Sequence, residues 1–444
     1  MDYYKMGLEL TKKLVSYDSV LKEYKENDLM PFGKGNYDVL NFFLNYAKGD
    51  GFTVKNIDNY VGYVEYGSGD EILGILAHLD VVPYKKEEWD SNPLELIIKE
   101  DRMIARGAID DKGPLAASYM ALKKIKDEGF IPNKRIRLIV GCDEESGSRC
   151  LERYIEKEGN IDLGFSPDAN FPLIYGEKGI GSFDITSNNK DNVISYFDSG
   201  DRYNIVPSKA IFKLNVDLKN EFLSYLKENN YSGNIDGEIY EIQGKAAHGS
   251  LPQEGINAIT LATEFISKYT DSKLAKYLHL YTSFDPFGEK FKFNMEDKYM
   301  GKTTSNLAIL KLDDNGFKLG FNVRVCNNDN YELIEKSIKE INKEYNYNFN
   351  WLHKSDVHFV SPESKLVKTL MNSYQKVTND YKNGPITIGG GTYAREFKNA
   401  VAFGPVMPGS PDTCHIANEY MMLKDFKDSI EIYYDSIKEL AKWD

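Results

Sequence analysis

The chain has 444 residues, of which 41% are hydrophobic, 13% aromatic and 28% charged, a globular composition that allows one large or two moderate domains. Its formal net charge of -13 and pI near 5.2 argue against nucleic acid or an anionic membrane surface as a partner. The 4 cysteines form no CxxC pair and are too few to staple a chain of this length, so we expect reduced and mostly buried thiols.

The N-terminus, MDYYKMGLELTKKLVSYDSV, alternates charged and apolar residues at helical spacing and lacks the unbroken apolar core of a signal peptide. No run of the sequence approaches the roughly 20 apolar residues of a membrane span. We therefore expect a cytoplasmic protein without a membrane partner.

Three apolar runs that end abruptly in polar residues predict strands. They are EILGILAHLD (71–80), KRIRLIVGCDEES (134–146) and the weaker IDLGFSPDAN (161–170). Between the first two, KGPLAASYMALKKIKDEGF (112–130) has apolar residues at helical spacing. Strand, helix and strand in this order are typical of an α/β sheet, in which ligands gather beyond the carboxyl ends of the strands.

The pattern changes near residue 181 and returns near residue 355. Shorter alternating stretches such as KAIFKLNVDL and FKLGFNVRV, with helical segments between them, predict an α+β unit. We therefore predict an α/β catalytic domain, residues 1–180 and 355–444, with a mixed β-sheet flanked by helices. An inserted α+β lid domain, residues 181–354, interrupts it.

Polar residues after the predicted strands supply the candidate site. His78 and Asp80 lie two apart and share one face of a strand, where a carboxylate can orient a metal-binding imidazole, although a lone histidine is more often structural. In GCDEESGS one acid could bind a metal while its neighbour serves as a general base; a solvated acidic turn is the alternative.

Five side chains taken together have the composition of a metal site. They comprise two imidazoles and three carboxylates, a nitrogen and oxygen set suited to zinc, manganese or cobalt: His78, Asp110, Glu145, Asp168 and His415. If one carboxylate bridged two cations, five residues could hold a pair of metals.

The motifs HLDVVP, RGAIDDKGP, GCDEESGS and PDAN, followed by a late histidine in GSPDTCHIANEY, resemble the M20 family of di-metal peptidases in order and spacing. Among its members, the PepV-like (Sapep-like) dipeptidases of Gram-positive bacteria are the most similar, over nearly the whole chain. The resemblance implies a di-zinc exopeptidase-like catalytic domain with two divalent metal ions, zinc first and manganese or cobalt as alternatives.

The resemblance implies a role for each metal ligand. His78 and Asp168 would hold one metal, Glu145 and His415 the other, and Asp110 would bridge them. Two adjacent aspartates of a strand point to opposite faces, so Asp110 and Asp111 could not both bind one pair of metals in ordinary strand geometry. The resemblance also implies that the peptide between them is cis.

Further residues would act around the metals. The resemblance implies that Asp80 lies behind His78, that Glu144 is the general base, and that His248 in AAHGSLP steadies the oxyanion. The substrate would be bound by Asn204, Arg324, Gly390 and Gly391. A surface charge for Arg324 and a plain tight turn for the glycines are the alternatives. Cys142 is interpreted as a buried packing residue and not as a nucleophile.

The leading hypothesis is a metal-dependent dipeptidase for dipeptides with a free N-terminus, with β-alanyl and D-residue dipeptides left open. The alternative within the family is an N-acyl amino acid deacylase or desuccinylase, which would share the metal ligands. A non-catalytic metal or peptide binding protein is the alternative of another class, and the presence of Glu144 argues against it. Because a long insertion can supply its own His248, we expect a monomer.

Overall fold

A computed structural model describes residues 1–443, and the chain forms two units. The first comprises Met1–Gly176, Phe359–Ile386 and the chain from Gly391 onward. The second comprises Glu177–His358 together with Thr387–Gly390. The fold class expected from the sequence, an α/β unit interrupted by an inserted α+β unit, is confirmed.

The elements follow one another in three stretches of chain. Up to the insertion they are α1 (Tyr3–Val15), α2 (Lys34–Gly49), β1 (Thr53–Ile57), β2 (Val61–Tyr66), β3 (Ile72–His78), β4 (Ile97–Lys99), β5 (Arg102–Ile104), α3 (Lys112–Asp127), β6 (Arg135–Gly141), α4 (Arg149–Glu158), β7 (Leu163–Ser166), β8 (Ala169–Asn170) and β9 (Ile174–Glu177). The insertion contains β10 (Gly179–Ser187), β11 (Ile194–Ser199), β12 (Lys209–Leu214), α5 (Lys219–Asn229), β13 (Ser232–Asp236), β14 (Ile239–Gln243), α6 (Ala258–Tyr269), α7 (Lys273–Tyr281), β15 (Glu296–Asp297), β16 (Gly301–Lys302), β17 (Thr304–Asp313), β18 (Gly316–Val325), α8 (Asn330–Tyr345) and β19 (Asn348–Lys354). The remainder contains β20 (His358–Phe359), α9 (Lys365–Thr378), β21 (Ile386–Ile388), β22 (Ala400–Ala402), β23 (Pro405–Val406), β24 (Tyr420–Met422) and α10 (Leu423–Leu440).

The first unit is organised by a mixed sheet in which the strands run β1-β2-β6-β3-β7-β22-β9. Strand β3 lies between β6 and β7 and is parallel to both, so the carboxyl ends of all three point the same way. Every residue of β3 is buried, as expected for a parallel strand covered on both faces. Helix α3, which leads from β3 to β6, packs on β3 and against α1 and α10.

The inserted unit is built on an antiparallel sheet of order β13-β14-β12-β11-β17-β18-β10-β19. The alternating sequence of β12 follows from this arrangement, because one face of the sheet packs on a core of its own, whereas β18 is buried almost throughout. Helix α6 packs on β12, β14 and β17, and helix α8 packs on β19. Within residues 1–443 the structure has no helix that combines the length and the apolar character needed to cross a bilayer.

A buried ion-pair network joins β2 to β6 in the first unit. Arg137 on β6 lies directly opposite Glu65 on β2 and donates to its carboxylate. It also donates to the Tyr154 hydroxyl at 2.9 Å and to Glu158 at 3.1 Å, and its side chain is 5% exposed. Removing the guanidinium would therefore leave the Glu65 carboxylate, which is 16% exposed, without its cation, whereas Glu158 would keep its pair with Lys55.

We expect Arg137→Met to lower the free energy of unfolding of the first unit by about 3 kcal/mol, because breaking one partner of a buried pair leaves the other uncompensated. The matched control is Lys22→Met, which breaks a 3.2 Å pair with Asp18 whose side chains are 76% and 37% exposed. That change should cost at most about 1 kcal/mol. Urea denaturation followed by circular dichroism measures both, and equal losses in the two variants would contradict the assignment.

Candidate metal centre

The candidate centre lies where the three parallel strands end. His78 is the last residue of β3, Glu144 and Glu145 follow β6, and Asp168 follows β7. The order β6-β3-β7 brings these ends side by side, which is where α/β sheets bind ligands. The peptide joining Asp110 to the next residue, at the start of α3, is cis, as the resemblance implied.

Asp110 lies between two imidazoles. Its Oδ1 is 3.0 Å from Nε2 of His78, and its Oδ2 is 2.9 Å from Nε2 of His415. Each carboxylate oxygen thus faces a different ring. This is the arrangement that a carboxylate needs to bridge two cations, each of which would have its own histidine.

Each imidazole also faces a second carboxylate. Asp168 Oδ2 is 3.5 Å from Nε2 of His78, and Glu145 Oε2 is 3.2 Å from Nε2 of His415. Two sets of three side chains have ligand atoms within 4.8 Å of one another and could each hold an ion: His78, Glu144 and Asp168, and His78, Asp110 and Glu145. Glu144, which the resemblance implies is the general base, is therefore also near enough to His78 and Asp168 to be a metal ligand.

The lone pairs at the centre suit a cation. Nδ1 of His78 is 3.0 Å from the backbone oxygen of Asp80, a contact that requires the ring proton on Nδ1. In the neutral ring Nε2 is then an acceptor, and this buried atom has no hydrogen-bond partner among the described residues although it faces a carboxylate oxygen. Oε1 of Glu145 is also buried and has no hydrogen-bond partner among the described residues. The donor set therefore fits divalent metal ions.

Electrostatics leads to the same conclusion. Burial and the carboxylate of Asp168 raise the pKa of Glu144, and burial together with Asp110 raises the pKa of Glu145 to about 7. Hydrogen bonds to Asp110 and Glu145 raise the pKa of His415 to about 11. In this cluster, bound protons offset the negative charge of the carboxylates, and divalent cations would displace these protons on binding.

Asp80 organises the acidic turn. Its Oδ1 accepts from the backbone N–H of Glu144 at 3.1 Å, and its Oδ2 accepts from that of Glu145 at 3.0 Å. Its carboxylate is 3.5 Å from Nδ1 of His78, farther than its own backbone oxygen. Asp80 therefore lies on the Nδ1 side of His78, and its carboxylate fixes the backbone of both glutamates, which the sequence analysis did not foresee.

The residues expected to bind substrate belong mostly to the inserted unit. The segment of Asn204 pairs with that of His248, since Gly249 donates to the Asn204 oxygen at 2.7 Å. The backbone N–H of Ser250 donates to Nδ1 of His248 at 3.2 Å, which leaves the proton of the neutral ring on Nε2. Both Asn204 and His248 are exposed.

Arg324 and the glycine loop are linked within the inserted unit. Arg324 is 4% exposed and donates through Nη1 to the Gly389 oxygen at 2.6 Å and through Nε to Asn322 at 3.0 Å. The surface-charge alternative for Arg324 is therefore wrong. Gly390 belongs to the inserted unit, whereas Gly391 belongs to the first unit.

Residues 74–439 match the family model described as peptidase family M20/M25/M40. The chain belongs to this peptidase family. It is therefore a hydrolase acting on peptide bonds, and the family resemblance recognised in the motifs is confirmed.

Relatives of this M20 peptidase match it over almost its full length. It is 37% identical over 452 residues to "Putative dipeptidase SH1171" of Staphylococcus haemolyticus, a match that covers 97% of this chain and 96% of that protein. A "Putative dipeptidase" of Staphylococcus epidermidis is 36% identical over 463 residues, with 99% and 98% covered.

Solved structures share the fold at low identity. Human carnosine dipeptidase 1 superposes with a TM-score of 0.59 at 14% identity, covering 99% of this chain and 97% of that one. A tripeptidase from Staphylococcus aureus gives a TM-score of 0.59 at 16% identity, covering 99% and 98%.

Glu419 is a part of the M20 site that the sequence analysis missed. It is fully buried, and its Oε1 accepts from the backbone N–H of Ile109 at 2.9 Å and of Asp110 at 3.3 Å. Arg106 donates to its other oxygen at 2.5 Å. The sequence signal for Glu419 was its position four residues after His415 in CHIANEY, but an acid in a loop is usually solvated.

The other conspicuous polar residues of the region are structural. Asp143, the first acid of the triplet, accepts from the Ser146 hydroxyl at 2.6 Å and from the Arg149 guanidinium at 2.6 Å. Cys142 is fully buried, and burial raises the pKa of its thiol, which disfavours the nucleophilic thiolate. The interpretation of Cys142 as a packing residue agrees with this environment.

We expect Glu419→Ala to weaken Mn²⁺ binding by about 10- to 100-fold, because the backbone that carries Asp110 loses its acceptor. Glu419→Gln keeps an oxygen for the two N–H groups and should lose less. Glu431→Ala, at an exposed glutamate of α10 that pairs with Lys124, is the matched control and should bind as the wild type does. Calorimetric titration of metal-stripped protein measures the affinity, and unchanged binding by Glu419→Ala would contradict the role.

Proposed function

We propose that this M20 peptidase is a two-metal dipeptidase that hydrolyses dipeptides with a free N-terminus and acts as a monomer. The observation that carries the proposal is the Asp110 carboxylate with one oxygen toward each of two imidazoles. The names of the staphylococcal relatives support the substrate class.

The distances support the ligand sets that the family resemblance implied. His78 and Asp168 would hold one ion, Glu145 and His415 the other, and Asp110 would bridge the two. Zinc is the first choice for these nitrogen and oxygen donors, with manganese or cobalt as alternatives. When bound, the ions would polarise the scissile carbonyl and lower the pKa of the attacking water from about 15.7 toward roughly 7.

Glu144 would transfer the proton. Its backbone is fixed by Asp80 at 3.1 Å, and its pKa is raised by burial and by Asp168, so that it can accept a proton as well as release one. It would take a proton from water as the oxygen bonds to the carbonyl carbon. It would then give that proton to the amine nitrogen as the carbon–nitrogen bond breaks.

The inserted unit would bind the substrate. Because Nδ1 of His248 accepts from a backbone N–H, its Nε2–H is the donor that an oxyanion requires. Arg324 would bind the C-terminal carboxylate, and its guanidinium plane is fixed by two hydrogen bonds. Asn204 and the backbone at Gly390 and Gly391 would complete the substrate contacts.

Metal removal with a panel of substrates tests the function. We expect the metal-stripped protein to be inactive and to regain dipeptide hydrolysis with Zn²⁺, Mn²⁺ or Co²⁺, while N-acyl amino acids remain uncleaved. β-Alanyl and D-residue dipeptides belong in the same panel, read by chromatography of the released amino acids. Cleavage of acyl amino acids but not of dipeptides would establish the deacylase instead, and metal-dependent binding without any cleavage would establish a binding protein.

The role of Glu144 has its own test. We expect Glu144→Gln to lower kcat by at least about 100-fold, since a general base contributes roughly 100- to 10,000-fold, while both metals stay bound. Metal content measured by mass spectrometry is the decisive second readout, because Glu144 also lies among the ligand groups. Loss of one metal equivalent together with activity would make Glu144 a ligand and exclude it as the base.

A further inference from the structure

One face of β18 is polar although the strand is buried. Lys318, Gly320, Asn322 and Arg324 alternate along it with apolar residues that belong to the core of the inserted unit. Asn322 and Arg324 are only 2% and 4% exposed. Buried polar groups cost free energy unless they are paired, so a polar face of this kind requires polar partners.

The ring of Tyr203 lies over this face at Gly320. A Cβ atom on Gly320 would be 2.8 Å from Cε1 of Tyr203, so a side chain at this position would displace the ring. The Tyr203 hydroxyl donates at 2.6 Å to Oδ1 of Asp184, which is buried directly opposite Gly320 on β10. Lys318 pairs with the other oxygen of Asp184 at 3.1 Å. A charge-assisted hydrogen bond therefore anchors Tyr203 to the sheet.

The backbone on both sides of Asn204 is held as well. Nδ2 of Asn306 donates to the backbone oxygens of Tyr203 at 3.3 Å and Ile205 at 2.9 Å. Gly249 donates to the oxygen of Asn204 itself at 2.7 Å. Asn204 lies in a turn and is exposed, so these contacts fix its position in place of the ladder of a strand.

The anchor ties Asn204 to the strand face that carries Arg324. Gly320 and Arg324 are four residues apart on β18, so they lie on the same face of the sheet. Both residues that are expected to bind substrate here are thus positioned by one rigid sheet, Arg324 directly and Asn204 through Tyr203.

We propose that Tyr203 is a positioning residue, which holds the side chain of Asn204 at the dipeptide by anchoring its turn to Asp184. The inference rests on the proposed function, because it requires Asn204 to contact the substrate. Loss of the anchor would let the turn move and would weaken the substrate contact without removing it.

The catalytic step should be less sensitive than substrate binding. Nδ1 of His248 accepts from the backbone N–H of Ser250 at 3.2 Å and is 2.7 Å from the Ser250 hydroxyl. The ring that would stabilise the oxyanion therefore has contacts of its own, which do not involve Tyr203. We expect the anchor to act on KM and to leave kcat almost unchanged.

Steady-state kinetics of the full-length, metal-loaded protein, with the best dipeptide of the substrate panel, test the anchor. We expect Tyr203→Phe to raise KM about 5- to 10-fold, as the loss of one hydrogen bond to a charged group allows, and to keep kcat within about twofold. Tyr196→Phe is the matched control, because this exposed tyrosine of the same unit donates to Asp198 at 3.4 Å. It should have the KM of the wild type.

The acceptor provides a conservative variant. Asp184→Asn keeps an oxygen for the Tyr203 hydroxyl and should raise KM less than Asp184→Ala, which removes the acceptor. An equal rise in KM for the two Asp184 variants would contradict the anchor. If Asp184→Ala does not fold, Tyr203→Phe decides, since it keeps the ring over Gly320.

A double variant separates positioning from general stability. In the Asn204→Ala background, Tyr203→Phe should not raise KM further, because the residue that it positions is gone; a purely structural role would raise KM by the same factor in both backgrounds. A wild-type KM for Tyr203→Phe, with a raised KM for Asn204→Ala, would overturn the anchor alone. A wild-type KM for Asn204→Ala would remove Asn204 from the substrate site and the inference with it.

Discussion

The candidate site depends on one carboxylate that faces two imidazole nitrogens. Burial raises the pKa of Asp110, but the nearby imidazoles of His415 and His78 lower it below its ordinary value, so the group is held as an anion. Both carboxylate oxygens are then committed to nitrogen atoms of the two rings. In the protein alone, protons on the neighbouring groups must balance this charge, and divalent ions would do so with better geometry.

Two buried carboxylates, those of Asp80 and Glu419, position the backbone that carries the candidate metal ligands. Asp80 accepts from the backbone of Glu144 and Glu145, and Glu419 accepts from the backbone at Asp110. Each of these bonds is charge-assisted and lies in a region of low dielectric constant, where such bonds are strong and directional. The positions of the ligand side chains are therefore set through the backbone, by acids that would not touch the metals.

The parts of the site that the sequence predicted are those with local signals. The ends of β3, β6 and β7 are visible as apolar runs that stop at acids, because a strand buried on both faces must be apolar and its polar end must have a function or reach solvent. The motif order indicated the family partly for the same reason, since three of the five motifs, HLDVVP, GCDEESGS and PDAN, lie at strand ends. Nothing local marks Glu419, whose partners at Ile109 and Asp110 are about 310 residues away in the chain.

The backbone at His415 was equally beyond sequence analysis. Its φ of 65° lies in the left-handed region that residues other than glycine seldom adopt. Such conformations persist where the surrounding structure imposes them, and they concentrate at functional sites. The side chain is 55% exposed yet makes contacts of 2.9 and 3.2 Å with two carboxylates. Hydrophobic pattern and propensity carry no information on this combination, which depends on the tertiary structure.

The acidic triplet shows how neighbouring residues of one charge acquire different functions. Asp143 is occupied by Arg149 and Ser146, so its charge is neutralised away from the metal ligands. Glu145 faces His415, where a cation would be shared with an imidazole. Glu144 is left with a pKa raised by burial and by a nearby carboxylate, and a metal bound at that carboxylate would bring the pKa down again. A group whose proton affinity is set by two opposing effects can take a proton from water and return it to an amine, and this balance supports the proposal that Glu144 is the general base.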